Sequence, residues 1–574
     1  MKKITRYLIS AYIIIVIIKI LLISVIPAPI EFADYYIYSK MAQSFISSGN
    51  FNVHNMAANI FPPLYPIFIS PAFLFSDSKI SYLFIKIINA FILGSIIFPA
   101  YLLSREFLSG KKSFLASILV SLIPSTFAFS SFIMSENLFY PLYMFSIYFI
   151  YKSYKEKSFK WDILAGVFIG LSILTRHIAL SLILTIILSL IFYFMIKREN
   201  RIVQLKRKTL MGVSALIIIS PWLIRNIIAF GFSLKAILGI GGSVQVLASI
   251  SQRYTLAAFS TTFIFYIAFL ILSTGVIFFL LSISVIKRMF RNKDYFNISI
   301  IFLSSFFSSV MLAANHNSGV VKYTLLYSWF TGKFVGRYID HLIPLMIILG
   351  IIGFQYIKED KRLLKYFALS SSLILLFSSQ IIFMSLFPVN NISLTYLGIF
   401  NYIINLVFLH IESSTPQFNI LTLIIFSILF FILPFIILNL TRIKIKKLMS
   451  LIMIFFFLAS LVSIATVYFE SNRSWYNSEQ TRLGLFFNEH NKDKSSKVLF
   501  DEDNCGKISK DKQDDICSDT RFYTISGFWM NSDIRIGNTR NIEGIGYIVS
   551  KKELGYEKIY GTKKGIFLYK LTRD

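Results

Sequence analysis

The chain has 574 residues, of which 56% are hydrophobic and only 15% charged, against roughly 25% charged in soluble domains. A mean hydropathy of +0.68 excludes an ordinary soluble protein and marks a polytopic membrane protein. Lys and Arg outnumber Asp and Glu by 57 to 29, a net charge of +28. Those basic residues sit in short connectors between apolar runs, as membrane topology requires, and no basic patch on a reading fold points to nucleic acid.

A helix needs about 20 apolar residues to cross the hydrocarbon core. Such runs fall near 7–27, 80–104, 113–132, 137–152, 161–178, 180–196, 209–229, 259–286, 296–314, 337–357, 366–387, 419–440 and 449–468. The expectation is an α-helical polytopic membrane protein with about thirteen spans. The first run follows Lys2, Lys3 and Arg6 and is longer than a signal-peptide core, with no small-residue cleavage site after it. A retained first helix with a cytoplasmic N-terminus is expected.

Charge checks this count. Alternate connectors hold Arg105/Lys111/Lys112, Lys152/Lys155/Lys157/Lys160, Lys197/Arg198/Arg201/Lys206/Arg207/Lys208, Lys287/Arg288/Arg291/Lys293, Lys358/Lys361/Arg362/Lys365 and Arg442/Lys444/Lys446/Lys447. The connectors between them are poor in Lys and Arg, and 388–418, read as an outer loop, has none. A single miscounted span would reverse the alternation. An odd count places the C-terminal tail outside.

The first outer loop, 28–79, is long for a connector and too aromatic for disorder. It carries Glu31, Asp34, Tyr38 and the run Phe61-Pro62-Pro63-Leu64-Tyr65-Pro66, whose prolines hold the chain extended. Either acid could take a proton from an attacking hydroxyl; Asp34 could equally cap a helix beginning at Tyr35. Glu136 lies in a very short connection between two spans, as a second cavity acid or a turn residue. Arg176-His177, Arg225 and Arg337-Tyr338 place positive charge at the outer ends of spans, against the charge rule. Guanidinium groups suit phosphate; snorkelling to headgroups is the alternative.

The tail, 469–574, is richer in Asp, Lys, Asn and Gly and has short β-prone runs, so it is expected to form a small soluble extracytoplasmic α/β domain beside a transmembrane domain, 1–468. Its Cys505 and Cys517, the chain's two cysteines, are expected to pair as a disulfide in that compartment. No Walker loop, zinc spacing or internal repeat is present. No cofactor is called for, and a divalent metal is compatible but not indicated.

In order, Asp34…Tyr38…Ala42…Gly49 and Pro62-Pro63-Leu64-Tyr65-Pro66, then Met134-Ser135-Glu136-Asn137, Leu174-Thr175-Arg176, Pro221-Trp222-Leu223-Ile224-Arg225-Asn226 with Phe230-Gly231, and Gly336-Arg337-Tyr338 resemble the GT-C glycosyltransferases. These polytopic enzymes use polyprenyl-phosphate sugars and include protein O-mannosyltransferases and the aminoarabinose transferase of lipid A. The resemblance runs over about 1–357. It implies a catalytic acid at Asp34 and a second at Glu136, with basic residues near the lipid phosphate at Arg225 and Arg337. Many members have Glu directly after the Asp, where this chain has Tyr35; Glu31 is the nearby acid. The implied activity is inverting transfer of a sugar from polyprenyl (dolichyl or undecaprenyl) phosphate to a glycan, protein or lipid acceptor on the outer face, with Asp34 as base. Glu31, Tyr38, Tyr65, Arg176, His177, Arg225, Arg337 and Tyr338 are the expected substrate-binding residues. The rival class is a transporter or flippase for a lipid-linked saccharide, which internal repeats and midplane charges would favour.

Overall fold

The computed structural model describes residues 2–571 apart from 31–32, 55, 157, 198–200, 234–238, 240–255, 319–334, 384–388, 413–417, 441–444, 492–495, 502–519, 540–541 and 564. Glu31 and the expected Cys505–Cys517 disulfide therefore lie outside the described residues.

Among the described residues nine helices are long and apolar enough to cross a membrane. Gly110–Leu122 with Pro124–Ser131 forms a bent pair, turned by 76°. The helices Glu136–Lys155, Phe159–Ile173 and Lys361–Phe377 and the apolar segment Asp340–Tyr356 occupy other expected spans. Among the described residues each of the thirteen expected runs is thus largely helical, with two corrections. The run 259–286 is two helices, Leu256–Ser273 and Ile277–Lys287, broken where Gly275 and Val276 both take positive φ. The segment 388–418 is not simply a loop, because Asn390–Phe408 is itself a candidate span. Its polar residues hid it: Asn401 and Asn405 are buried in the protein while Phe400, Leu406 and Phe408 are exposed.

At one end of the bundle the basic connectors are stitched together. Arg207 Nε donates to Asp162 Oδ2 at 2.7 Å and its Nη2 to the carbonyl of Glu156 at 2.9 Å. Lys152 and Lys155 both reach Glu106, and Lys155 also reaches Asp294. Lys287 and Arg288 hold the two oxygens of Asp360 at 2.6 and 2.5 Å. These pairs bring the connectors near 106, 155, 208, 288 and 360 to the same end.

The opposite end is built around the first long connector. The first helix, Lys2–Ser24, is closed by a buried lysine from the next span: Lys86 Nζ donates to the carbonyls of Ile23, Ser24 and Ile26 at 3.0, 3.1 and 2.8 Å. Such a cation on orphan C-terminal carbonyls satisfies them and complements the helix dipole. The helix Ala33–Ser48 follows, with Asp34 in its first turn. A hairpin of β1 (Asn52–Val53) and β2 (Met56–Ala57) comes next, with His54 at φ 53° in its two-residue turn, as tight hairpins require. Asp77 then caps the helix Ser78–Gly94 through the N–H groups of Lys79 and Ile80.

The C-terminal region folds as a five-stranded sheet, β3 (Val498–Asp501), β4 (Ile534–Gly537), β5 (Tyr547–Ser550), β6 (Glu557–Gly561) and β7 (Phe567–Lys570), in the order β4-β3-β5-β7-β6. β3 runs parallel to β4 and β5, while β7 is antiparallel to β5 and β6. Helices Glu479–His490 and Thr520–Met530 pack beside it. This region shares the hydrophobic core of the membrane part. Tyr35 meets Trp475 and Phe528 edge-on, Tyr36 meets Tyr523, Lys40 Nζ donates to the Ser532 carbonyl at 2.9 Å, and Gln43 Nε2 donates to Asn531 Oδ1 at 2.6 Å. One face of the Ala33–Ser48 helix is therefore clamped by residues more than 400 positions away.

Candidate active site

Two carboxylates and two guanidinium groups converge at the clamped end. Glu136 begins the helix Glu136–Lys155 and is fully buried. Arg176, in extended backbone just before the short turn His177–Ala179, forms an ion pair with Glu136 Oε1. Arg337 reaches the same oxygen with Nε at 3.7 Å and Asp34 Oδ2 with Nη2 at 3.2 Å. One guanidinium therefore bridges the two acids. They differ in access: the side chain of Asp34 is 33% exposed and that of Glu136 not at all. A buried carboxylate must be paired to remain charged, and Glu136 has two arginines; the accessible carboxylate can meet a substrate.

Aromatic side chains frame this cluster. Tyr38 OH donates to Ser135 Oγ at 2.9 Å, beside Glu136, while its ring stacks on Phe61 and meets Tyr65 edge-on. Burial raises the Tyr38 hydroxyl well above its ordinary value, so it acts as a neutral hydrogen-bonding group. Tyr65 OH donates to Asn89 Oδ1 at 3.1 Å, which anchors the proline-rich exit on the Ser78–Gly94 helix. Leu64 N–H donates to the Leu174 carbonyl at 2.9 Å, so that exit is also tied to the turn carrying Arg176. The Arg176 guanidinium lies 5.6 Å from the Tyr338 ring centroid, and Tyr338 OH is 3.3 Å from His316 Nε2.

The structure thus brings together Asp34, Tyr38, Tyr65, Glu136, Arg176, Arg337 and Tyr338. His177 is half-buried at the start of the adjacent turn. Arg225 is placed differently. Its partners are the carbonyls of Ala58 and Phe51, at 2.8 and 3.1 Å, the Asn226 side chain and the faces of Trp222 and Phe230. It ties the long Arg201–Phe230 helix to the hairpin rather than to either acid. Among the described residues no group of three or more His, Cys, Asp or Glu could hold a metal.

Three residues near the site were passed over in the sequence. Lys86 was signalled by a cation inside an apolar run, where such groups usually have a partner. Asp340, fully buried, accepts a hydrogen bond from Ser393 Oγ at 2.8 Å; it was legible as an acid at the start of a span. His316 ends a span, and its place beside Tyr338 had no sequence signal.

With this geometry in place, two comparisons bear on the class. Residues 61–224 match the family model described as dolichyl-phosphate-mannose-protein mannosyltransferase. The fold is similar to that of ArnT from Cupriavidus metallidurans bound to undecaprenyl phosphate, with a TM-score of 0.60 over 98% of this chain and 97% of that one, at 11% identity. The same protein in its apo state gives 0.54, again at 11% identity and 98% coverage of both chains. In sequence, no curated protein matches. The fold is therefore one shared with ArnT, and both the shared fold and the mannosyltransferase family model over 61–224 agree with the class that the loop motifs resemble.

Proposed function

We propose that the chain transfers one sugar from a polyprenyl phosphate to an acceptor hydroxyl at the outer face of the membrane, with inversion and with Asp34 as general base. The observation that carries this reading is the Arg337 bridge between an accessible carboxylate and a buried one, on a fold shared with a protein solved with undecaprenyl phosphate. In the reaction, the acceptor O–H proton passes to Asp34 as its oxygen bonds to the anomeric carbon. The bond from that carbon to the phosphate oxygen breaks, and its electron pair leaves with the lipid phosphate. Arg337, with Arg176 behind it, supplies positive charge where the leaving phosphate gains negative charge, a form of preorganised stabilisation. Glu136 holds both arginines in register. Arg225 acts less directly, by fixing the hairpin that borders the site.

The orientation belongs to the same reading. The stitched basic connectors share one end, and the charge rule assigns that end to the cytoplasm. The site and the 469–574 region then face outward, away from nucleotide sugars. The acceptor is a glycan, protein or lipid within reach of Asp34.

The test uses purified protein, a radiolabelled polyprenyl-phosphate sugar and membrane extract as acceptor. Wild type transfers label, Asp34→Asn does not, and Glu31→Gln retains transfer. Full transfer by Asp34→Asn with loss in Glu31→Gln would move the base to Glu31. Full transfer by both would remove the mechanism, and no transfer by wild type from any such donor would remove the function.

A further inference from the structure

The motif Gly336-Arg337-Tyr338 is a single turn of 3-10 helix at the mouth of a span, too short to fix a guanidinium by itself. Its surroundings hold it from several sides. Gly336 N–H donates to Asn391 Oδ1 at 2.7 Å. Tyr266 OH donates to the Val335 carbonyl at 3.1 Å, and Tyr140 OH to the Arg337 carbonyl at 3.4 Å. Two residues beyond Asn391, Ser393 Oγ donates to Asp340, the first residue of the next short turn, Asp340–Leu342. Asn391 and Ser393 thus hold two consecutive short turns from one short segment.

That segment is the stretch the charge pattern had consigned to a loop. Within Val389–Leu394 the backbone departs from helical geometry at Asn391 (φ −137°, ψ 43°). Asn391 is nearly fully buried, and Ser463 Oγ, from the helix Ile445–Glu470, donates to the neighbouring Ile392 carbonyl at 3.4 Å. Gly336 completes the fit. A Cβ there would stand 2.2 Å from the Phe269 ring and 2.7 Å from Asn391 Oδ1. Only glycine lets the turn approach closely enough for its N–H to reach the asparagine.

We propose that Asn391 is a positioning residue for Arg337: by accepting the Gly336 N–H it sets the turn so that the adjacent guanidinium spans Asp34 and Glu136. The segment 389–394 is therefore part of the donor site without touching the donor. This rests on the assignment of Arg337 to the donor phosphate. Asn391→Leu removes the acceptor and leaves a buried N–H unsatisfied, whereas Asn391→Asp keeps an acceptor oxygen at the same place.

The experiment is a double-mutant cycle on donor KM and kcat in full-length protein in nanodiscs, with a polyprenyl-phosphate sugar as probe. Asn391→Leu is expected to raise donor KM or lower kcat by about tenfold, the cost of one lost buried hydrogen bond to the turn. Asn391→Asp restores most of it, and Gly336→Ala, which displaces Asn391, repeats the loss. In the background of Arg337→Lys, Asn391→Leu adds little, because coupled residues are non-additive. A residue that only supported the fold would lower the unfolding temperature and add its full effect in either background; that additivity, or an unchanged donor KM and kcat in Asn391→Leu, overturns the proposal. If Arg337→Lys itself leaves donor use unchanged while Asn391→Leu impairs it, the donor assignment fails and this inference with it. If Arg337→Lys alone impairs donor use, the assignment stands and only the role of Asn391 falls.

Discussion

The two ends of the bundle use the same ingredients, buried acids and arginines, to different effect. At the basic end Asp360 has a donor on each oxygen within 2.6 Å, and Asp162 is closed by Arg207 and Ser153. At the other end the contacts from Arg337 are 3.2 and 3.7 Å, and one of its acids is a third exposed. A buried pair with every lone pair satisfied is a staple, costly to break and with nothing left over for a ligand. A cluster with slack and an open carboxylate has capacity in reserve. Saturation of the hydrogen bonds, together with the access left to one carboxylate, separates structure from site here.

The largest effect that would sharpen this contrast is Asp34→Asn. Loss of a general base costs about 10²–10⁴ in rate, and the amount of folded protein should be unchanged. Arg207→Met should do the reverse. It removes the cation that closes buried Asp162, leaving Ser153 and, 3.9 Å away, Lys208, at a cost of about 3 kcal/mol, read as lowered abundance and unfolding temperature with the turnover of surviving molecules preserved. If Arg207→Met altered turnover at full abundance, the basic end would be more than a staple. Arg337→Lys comes next: the compact ammonium cannot span both acids, so donor KM should rise about tenfold with little change in thermal stability.

The smallest effect concerns acid. Burial pushes the Asp360 carboxyl up, but its hydrogen bonds from Lys287 and Arg288 outweigh this and hold it below its ordinary 3.8. A group whose pKa is lowered on folding contributes stability above its unfolded pKa and loses it as pH falls through the folded one. Unfolding temperature should therefore decline below about pH 4, and Asp360→Asn should flatten that decline while lowering stability at neutral pH. A parallel decline in the variant would return the acid sensitivity to other carboxylates.

How much of this was legible follows from the range of each signal. Long apolar runs announce spans locally, so those near 7–27 and 419–440 were plain. Arg176 and Arg337 stood out because positive charge at the ends poor in Lys and Arg needs a reason, and Asp34 and Glu136 because each is an acid in a connection between apolar runs. Asn390–Phe408 escaped because Asn401 and Asn405, buried against protein, diluted its hydropathy. The break at Gly275 and Val276 escaped because the apolar run continues through it. Least visible was the seating of the C-terminal region on the Asp34 helix. Lys40 with Ser532, and Gln43 with Asn531, are pairings of single polar residues across nearly the whole chain, which no local pattern encodes.

Those same pairings have a consequence for the order in which the protein is made. The Asp34 helix leaves the ribosome early, yet Ser532 lies 492 residues behind Lys40. At about 5–20 residues per second, the helix waits roughly 25–100 s for its partners to exist. During that interval Tyr35 lacks the Trp475 and Phe528 rings and Lys40 lacks the Ser532 carbonyl. The clamp on the Asp34 helix is therefore finished only when nearly all of the polypeptide has been synthesised, so a ribosome that stalls in the last spans releases an inserted bundle whose Asp34 helix was never clamped.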